Sequence, residues 1–293
     1  MLNIKNIQRA LLKYAGQDDE QLARTLAVYG AVLQRAAQLA KDAPGPVPEW
    51  TPEEISAARL GKAVLLSERP VVLDPVRLEA VARDLAQTFI DAAGLTGKER
   101  AACEAVDWAG VAAKLPSPLD AEGLAAFLPA AAQAAGNEGL GEIFVLPVTG
   151  FALRVLLDAA GTEASRAIDA LEPDTVHAER PLRCPVCGSA AAIASVAGTM
   201  RNGNVKKLYC TCCGASWKFE RIRCALCGDE AVSDLNYVHD EGDEAHRLHV
   251  CKSCGGAMPT VFAGEELQFN PDVEGMVMSA LENYYDAEAA GAK

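Results

Sequence analysis

Cys184-Pro185-Val186-Cys187-Gly188, Cys210-Thr211-Cys212-Cys213-Gly214, Cys224-Ala225-Leu226-Cys227-Gly228 and Cys251-Lys252-Ser253-Cys254-Gly255 are four copies of one short pattern. Together they account for eight ligand-type cysteines out of the ten in the chain. In each copy two thiols three residues apart can grip one metal ion from a tight turn. The glycine after the second cysteine allows the positive φ that such a turn needs, while the turn's N–H groups point at sulfur. Two copies complete a tetrahedral four-sulfur site, so the stretch has ligands for two ions.

The copies form a repeat. Cys184 and Cys224 lie 40 residues apart, and Cys210 and Cys251 lie 41 apart, the length of one small metal ribbon. Ala192 to Met200, a turn at Asn202-Gly203 and Val205 to Tyr209 predict a hairpin with the first two knuckles at its ends. Trp217 to Phe219, with Ile222, predicts a strand into the third knuckle. Ser233 to His239 and Ala245 to Val250, joined by the acidic tip Asp240-Glu241-Gly242-Asp243-Glu244, predict a second hairpin running into the fourth.

The repeat favours one site made of Cys184, Cys187, Cys210 and Cys213 and a second made of Cys224, Cys227, Cys251 and Cys254. Each would sit at the ends of one hairpin, as in a rubredoxin or a zinc ribbon. A cross-braced pairing, first knuckle with third and second with fourth, stays open but leaves the hairpin repeat without a purpose. Four sulfurs suit zinc or iron; spacing does not choose, and base rates favour zinc. A site saturated with thiolates keeps no open position, so metal-assisted hydrolysis is not expected. Cys212, between two ligands, reads as a bystander, with a reserve ligand or redox-reactive thiol as the alternative. His239, His246 and His249 read as hairpin surface rather than as ligands.

Before the cysteines the chain reads as amphipathic helices. Asp18 and Asp19 offer a cap for a helix with Leu22, Leu26, Tyr29 and Leu33 on one face. Pro44, Pro46 and Pro48 end it. Thr51-Pro52-Glu53-Glu54 is a capping box with proline at the first helical position. Asp74-Pro75 opens another helix with the stripe Leu78, Val81, Leu85 and Phe89, stopped at Gly94. Further helices are predicted over Thr96 to Leu115, Leu119 to Ala135, Pro147 to Ala159 and Glu163 to Leu171, with Gly161 in a connection. Cys103 reads as a small buried hydrophobe, and Trp50 and Trp108 as core or interdomain anchors. This half holds no phosphate loop, serine elbow or histidine, so no catalytic group is predicted and the chain is read as a non-enzyme.

The resulting expectation is an α+β protein. It has an alanine-rich all-α domain (1–172), a linker (173–180), two tandem rubredoxin-like or zinc-ribbon four-cysteine modules (181–222 and 223–263), and a C-terminal helix and tail (264–293). Asn270-Pro271 starts that last helix, with Val273, Val277, Leu281 and Tyr284 on one face, predicted to pack back on the helical domain.

Composition bounds the function. The net charge of −13 argues against a general nucleic-acid binder, because phosphate rewards the opposite sign. The first residues lack the apolar core of a secretory signal. The longest apolar run, Ile143 to Leu157, is broken by Pro147 and Arg154 and falls short of the ~20 residues that cross a bilayer. A cytoplasmic protein without membrane insertion is expected, and in a reducing compartment clustered Cys-x-x-Cys pairs serve metals rather than disulfides. The first ribbon is basic (Arg183, Arg201, Lys206, Lys207, Lys218, Arg221, Arg223) and the second acidic. That split reads as mutual complementarity or solvated loops, or else as a docking surface for an acidic partner.

Cys184-Pro-Val-Cys-Gly-Ser189, Leu208-Tyr-Cys210 leading into Cys213, Trp217 and Arg221-Ile-Arg-Cys224-Ala-Leu-Cys227, in that order and spacing, resemble the FdhE family of formate dehydrogenase accessory proteins. The layout of helical half, cysteine region and final helix is similar too. The resemblance implies a cytoplasmic, non-enzymatic factor that acts on the catalytic subunit of a respiratory, molybdenum-containing formate dehydrogenase before its export. It also implies that the same eight cysteines bind iron in rubredoxin-like fashion, with zinc the alternative. Two other classes remain: a zinc-ribbon nucleic-acid binder stacking bases on Trp217 and Phe219, and a rubredoxin-type electron carrier.

Overall fold

The computed structural model describes residues 2–16, 19–134, 138–171, 180–199, 203–263 and 269–291. Helix α1 (Ile4–Lys13) is capped by the Asn3 side chain, which accepts from the Asn6 N–H. Helix α2 (Glu20–Asp42) starts at Asp19, whose carboxylate accepts from Gln21 and Leu22, and it buries Leu26 and Leu33 as its period requires. Helix α3 (Pro52–Arg59) carries the full capping box of Thr51 and Glu54. Helix α4 is the single turn Leu65–Glu68, and α5 (Pro75–Ala92) buries Leu78, Val81 and Leu85.

Two helix boundaries differ from the sequence reading. The helix predicted over Thr96 to Leu115 is two, α6 (Gly97–Glu104) and α7 (Trp108–Ala112), because the Asp107 side chain accepts from the Gly110 N–H and starts a new helix. After α8 (Ala121–Ala134), α9 (Glu138–Leu140), a π-helical turn (Gly141–Val145) and α10 (Leu146–Ala170) run on without a break. The two helices predicted either side of Gly161 are therefore one. By length and composition Gly141–Ala170 could cross a membrane, with mean hydropathy 1.8, but 67% of its most apolar window is buried inside the protein. It is the helix that the core is built around.

Helices α2, α5 and α10 pack on one another. Phe144 joins their aromatic centre, edge-on to Phe89 at 5.3 Å and to Trp108 at 6.0 Å. Trp108 is thus a core residue. Trp50 is half-buried and donates from its indole to the Leu65 carbonyl, 3.2 Å away. Cys103 is buried, and burial pushes its thiol up, the state of a packing thiol.

The cysteine region is a single six-stranded sheet built from β1 (Ile193–Thr199), β2 (Gly203–Tyr209), β3 (Ser216–Phe219), β4 (Leu235–Val238), β5 (His246–Cys251) and β6 (Ala257–Ala263), in the order β3-β2-β1-β6-β5-β4. Each ribbon is a three-stranded antiparallel meander. The two are joined by a parallel pairing of β1 with β6, running from Ala194 opposite Thr260 to Ala197 opposite Ala263. The two expected four-cysteine modules are present, then, but share one sheet. Strand β6, which holds Pro259 opposite Leu248, was not among the predicted strands. The turn expected at Asn202-Gly203 and the linker expected at 173–180 lie, apart from Gly203 and Arg180, outside the described residues.

Helix α11 (Pro271–Gly291) starts where Asn270 accepts from the Val273 N–H. It packs on α1 and α2 and also covers one sheet face, where Met278 meets Ile193, Leu248 and Val261. Val273 is buried as predicted, whereas Tyr284 is exposed.

Candidate metal centres

The four knuckles fold alike. The N–H of each opening cysteine donates to a carbonyl five residues on, Ser189, Ala215, Asp229 or Gly256, at 2.8 to 3.0 Å. Each closing glycine donates back to that cysteine's carbonyl at 2.8 to 3.0 Å. Gly188, Gly214, Gly228 and Gly255 have φ of +75°, +80°, +84° and +69°, a conformation that any side chain would strain. A second repeated device was missed in the sequence. Arg183 and Arg223 each precede the opening cysteine of a hairpin, and each donates from Nε to the knuckle's glycine carbonyl, Gly188 at 2.7 Å and Gly228 at 3.3 Å. An arginine directly before the cysteine in both repeats was the signal.

The structure brings the eight cysteines together as two groups of four. In one are Cys184, Cys187, Cys210 and Cys213; in the other are Cys224, Cys227, Cys251 and Cys254. Within each the sulfurs lie inside 4.8 Å of one another. The Sγ separations are 3.5 Å for Cys184 to Cys213 and Cys187 to Cys210, 3.9 Å for Cys224 to Cys254, and 3.8 Å for Cys227 to Cys251. Four bonds of ~2.3 Å to one central ion place tetrahedral sulfurs about 3.8 Å apart. The donor sets fit a four-thiolate metal, and the fit does not separate zinc from iron. The cross-braced pairing is not the one observed. Cys212 is in neither group. It is half-buried between Thr211 and the ligand Cys213.

The two centres differ in surroundings. All four cysteines of the first are buried, while Cys227 and Cys254 of the second are exposed. The helical body seals the first. The Leu65 and Leu66 N–H groups of α4 donate to the Pro185 and Val186 carbonyls of the first knuckle, both at 2.9 Å. Arg154 of α10, buried, donates from Nη1 to the Thr211 carbonyl at 2.9 Å and Cys210 at 3.3 Å. Its charge is matched by Asp158 at 3.1 Å and Asp272 of α11 at 3.5 Å. One arginine thus ties helical body, second knuckle and last helix together. In the sequence it looked like an interruption of an apolar run. Without an ion, burial and then the adjacent Cys187 push the Cys184 thiol well above its usual range; a bound cation reverses that balance and holds the sulfurs as thiolates.

The histidines correct the surface reading, except His239, which is exposed. His246 lies between Asp243, 2.7 Å from Nδ1, and Glu274 of α11, 3.0 Å from Nε2. The Tyr14 hydroxyl is 3.0 Å from the same nitrogen and donates to Glu274, which also receives Lys13 at 3.1 Å. Burial alone would lower the His246 pKa, but Glu274 and Asp243 raise it. Glu274 is held below the usual carboxylate range by His246, Tyr14 and Lys13, against its burial. His249 is buried on the opposite sheet face, 3.1 Å from the Lys206 Nζ. Burial pushes Lys206 down to about 8, and burial with the Lys206 charge pushes His249 down to about 4. Strands β2 and β5 are not neighbours in the sheet, so the two side chains meet over the intervening β1 and β6.

The basic ribbon is partly spent inside the fold. Lys206 is buried, Arg223 braces a knuckle, and Lys207 and Lys218 face Asp169 of α10 at 3.5 and 4.0 Å. Trp217 and Phe219, the residues expected to stack bases, are buried.

Comparison with known proteins bears out the resemblance to FdhE. The chain is 24% identical over 99 residues to a protein FdhE homolog of Aquifex aeolicus, covering 34% of this chain and 35% of that protein. It is 25% identical over 131 residues to a protein FdhE homolog of Rhizobium meliloti, covering 44% and 42%. The matches therefore span less than half the length of these curated relatives. The crystal structure of the FdhE protein from Pseudomonas aeruginosa superposes with a TM-score of 0.54 at 17% identity, over 97% of this chain and 90% of that one. No family model matches the chain. These likenesses show the fold of that crystal structure and a partial sequence similarity to the FdhE homologs.

Proposed function

We propose that this FdhE-type protein is a cytoplasmic accessory factor, not itself an enzyme, that binds the catalytic subunit of a molybdenum-containing formate dehydrogenase before export and is needed for its active form. The observation that carries the reading is the combination of two four-cysteine groups with a helical body in a fold matched end to end by an FdhE protein. Both sets are saturated by sulfur, which favours a structural or electron-storing centre over a hydrolytic one. Iron held by four thiolates would supply one-electron chemistry, whereas zinc would supply rigidity only. The resemblance to FdhE, not the donor geometry, favours iron as the occupant.

Around the first centre, Leu65, Leu66 and Arg154 hold the knuckles against the helices, so that filling the site and docking the ribbon are one event. The second centre, with two cysteines at the surface, is the one open to solvent and to redox partners. Deleting the gene and measuring formate dehydrogenase activity and export of its catalytic subunit tests the role. Wild-type activity in the deletion strain overturns it. The nucleic-acid reading gains no support, since Trp217 and Phe219 are unavailable for stacking.

A further inference from the structure

A cavity of about 920 Å³ opens where α2, α8, α10 and α11 meet the second knuckle, at the top of the range of about 300–1,000 Å³ of small-molecule sites. Its walls are Tyr29, Leu128, Phe151, Ile193 and Met276, with Thr211 and Cys212 of the second knuckle at one side. No lysine, arginine or histidine is among the described lining residues, whereas Glu142 and Asp272 are.

Two glycines on its border are not required by the packing of the described residues. Gly150 is inside α10 and Gly275 inside α11, where glycine is destabilising relative to alanine. A Cβ on either would meet nothing within 4 Å. Gly161 and Gly141 of the same long helix are different, because there a Cβ would come within 2.0 Å of the Cys213 carbonyl oxygen and 2.7 Å of that of Ala132. Those two are required by packing; Gly150 and Gly275 keep space open. The π-helical turn Gly141–Val145 supplies Glu142 to the same rim, and such turns recur at functional sites.

We infer that this groove docks an apolar helical segment of a partner protein that carries basic residues at one end. A helix satisfies its own backbone groups, while an extended segment would leave them unpaired, since β1, the strand at the groove, is already flanked by β2 and β6. Met276 gives a soft, adaptable contact that suits a peptide side chain. The basic end is set by Glu142, by the lack of lining cations and by the chain's charge of −13. The inference deepens the accessory-factor reading by naming where a client would be held.

The test uses the full metal-loaded chain and three fluorescein-labelled dodecapeptides: leucine and alanine headed by two lysines, the same headed by two glutamates, and an all-serine control. Saturable binding of the lysine peptide, about tenfold tighter than the glutamate one, is expected, with no binding of the control. Gly275→Leu is expected to lower that affinity about tenfold while leaving two metals per chain and the thermal midpoint unchanged or raised, an outcome a merely structural glycine would not produce. Equal binding of lysine and glutamate peptides, or unaltered binding by Gly275→Leu, overturns the proposal. Co-purification with the formate dehydrogenase catalytic subunit separates the two readings. A client retained equally by Gly275→Leu sinks the groove and leaves the accessory role, whereas peptide binding without any client binding does the reverse.

Discussion

Gly161 of α10 lies so close to Cys213 that a Cβ in its place would be 2.0 Å from the Cys213 carbonyl oxygen and 3.0 Å from the Ala215 nitrogen. Both atoms are backbone, and neither can rotate away. The long core helix and the second knuckle therefore meet through a residue that must have no side chain. Gly161→Ala is expected to destabilise by about 1–3 kcal/mol, the usual cost of overpacking, and to weaken metal retention at the first centre specifically. Thermal unfolding and metal counting check both; an alanine variant with wild-type midpoint and two ions would show that the knuckle is free to move off the helix.

That contact also shows what could be read beforehand. Caps and stripes depend on neighbours in sequence, so Asp19, Thr51 with Glu54, and Asp74 with Leu78 and Leu85 were legible. So was the division into two cysteine groups, because the repeat itself encodes it. Gly161 was taken for a break because a glycine's local meaning is a turn, while its real meaning is set by Cys213, 52 positions later in the chain. The joining of the two ribbons into one sheet was not legible either: the pairing of β1 with β6 links residues about 66 positions apart in sequence, and local pattern carries no trace of such a partner. Likewise His246 and Lys206 looked like polar strand residues until α1, α11 and β5 supplied their partners.

Arg154 is buried with Asp158 and Asp272 on one side and the Cys210 and Thr211 carbonyls on the other. Arg154→Met leaves two carboxylates buried without their counter-charge, so a loss of about 3–5 kcal/mol is expected. Denaturant unfolding measures it. Adding Asp158→Asn and Asp272→Asn should recover part of the loss, and failure to recover any would mean that the carbonyl contacts, not the ion pairs, dominate.

The Tyr14, His246 and Glu274 cluster gives stability a two-sided pH dependence. His246 titrates above its ordinary value of 6.5, so its contribution is complete below that value and fades as pH rises through the raised folded one. Glu274 titrates below 4.5, so its contribution is present above that value and fades as pH falls through the depressed one. Stability from this cluster is greatest between the two. In His246→Gln the decline on the alkaline side should disappear while the acidic decline remains in reduced form, held by Tyr14 and Lys13. Melting curves across the pH range decide it, and parallel profiles for the two proteins would rule the histidine out as the source.

The unequal burial of the two centres predicts unequal release of metal. In the first, all four sulfurs are inside the protein, with α4 and α10 hydrogen-bonded to the knuckles. In the second, Cys227 and Cys254 reach the surface, and a Cβ on the adjacent Gly255 would touch nothing within 4 Å. A chelator attacks a four-thiolate site by displacing one sulfur at a time, which an exposed cysteine permits directly, whereas the first site must wait for the ribbon to lift off the helices. Release is therefore expected in two phases of one ion each, the fast phase from the second centre. Cys224→Ser should abolish the fast phase and keep the slow one; Cys184→Ser should do the opposite and also lower the melting midpoint, because only the first centre is tied into the helical core. A single phase releasing both ions together would mean that the shared sheet opens as one unit and that the seal over the first centre gives no protection of its own.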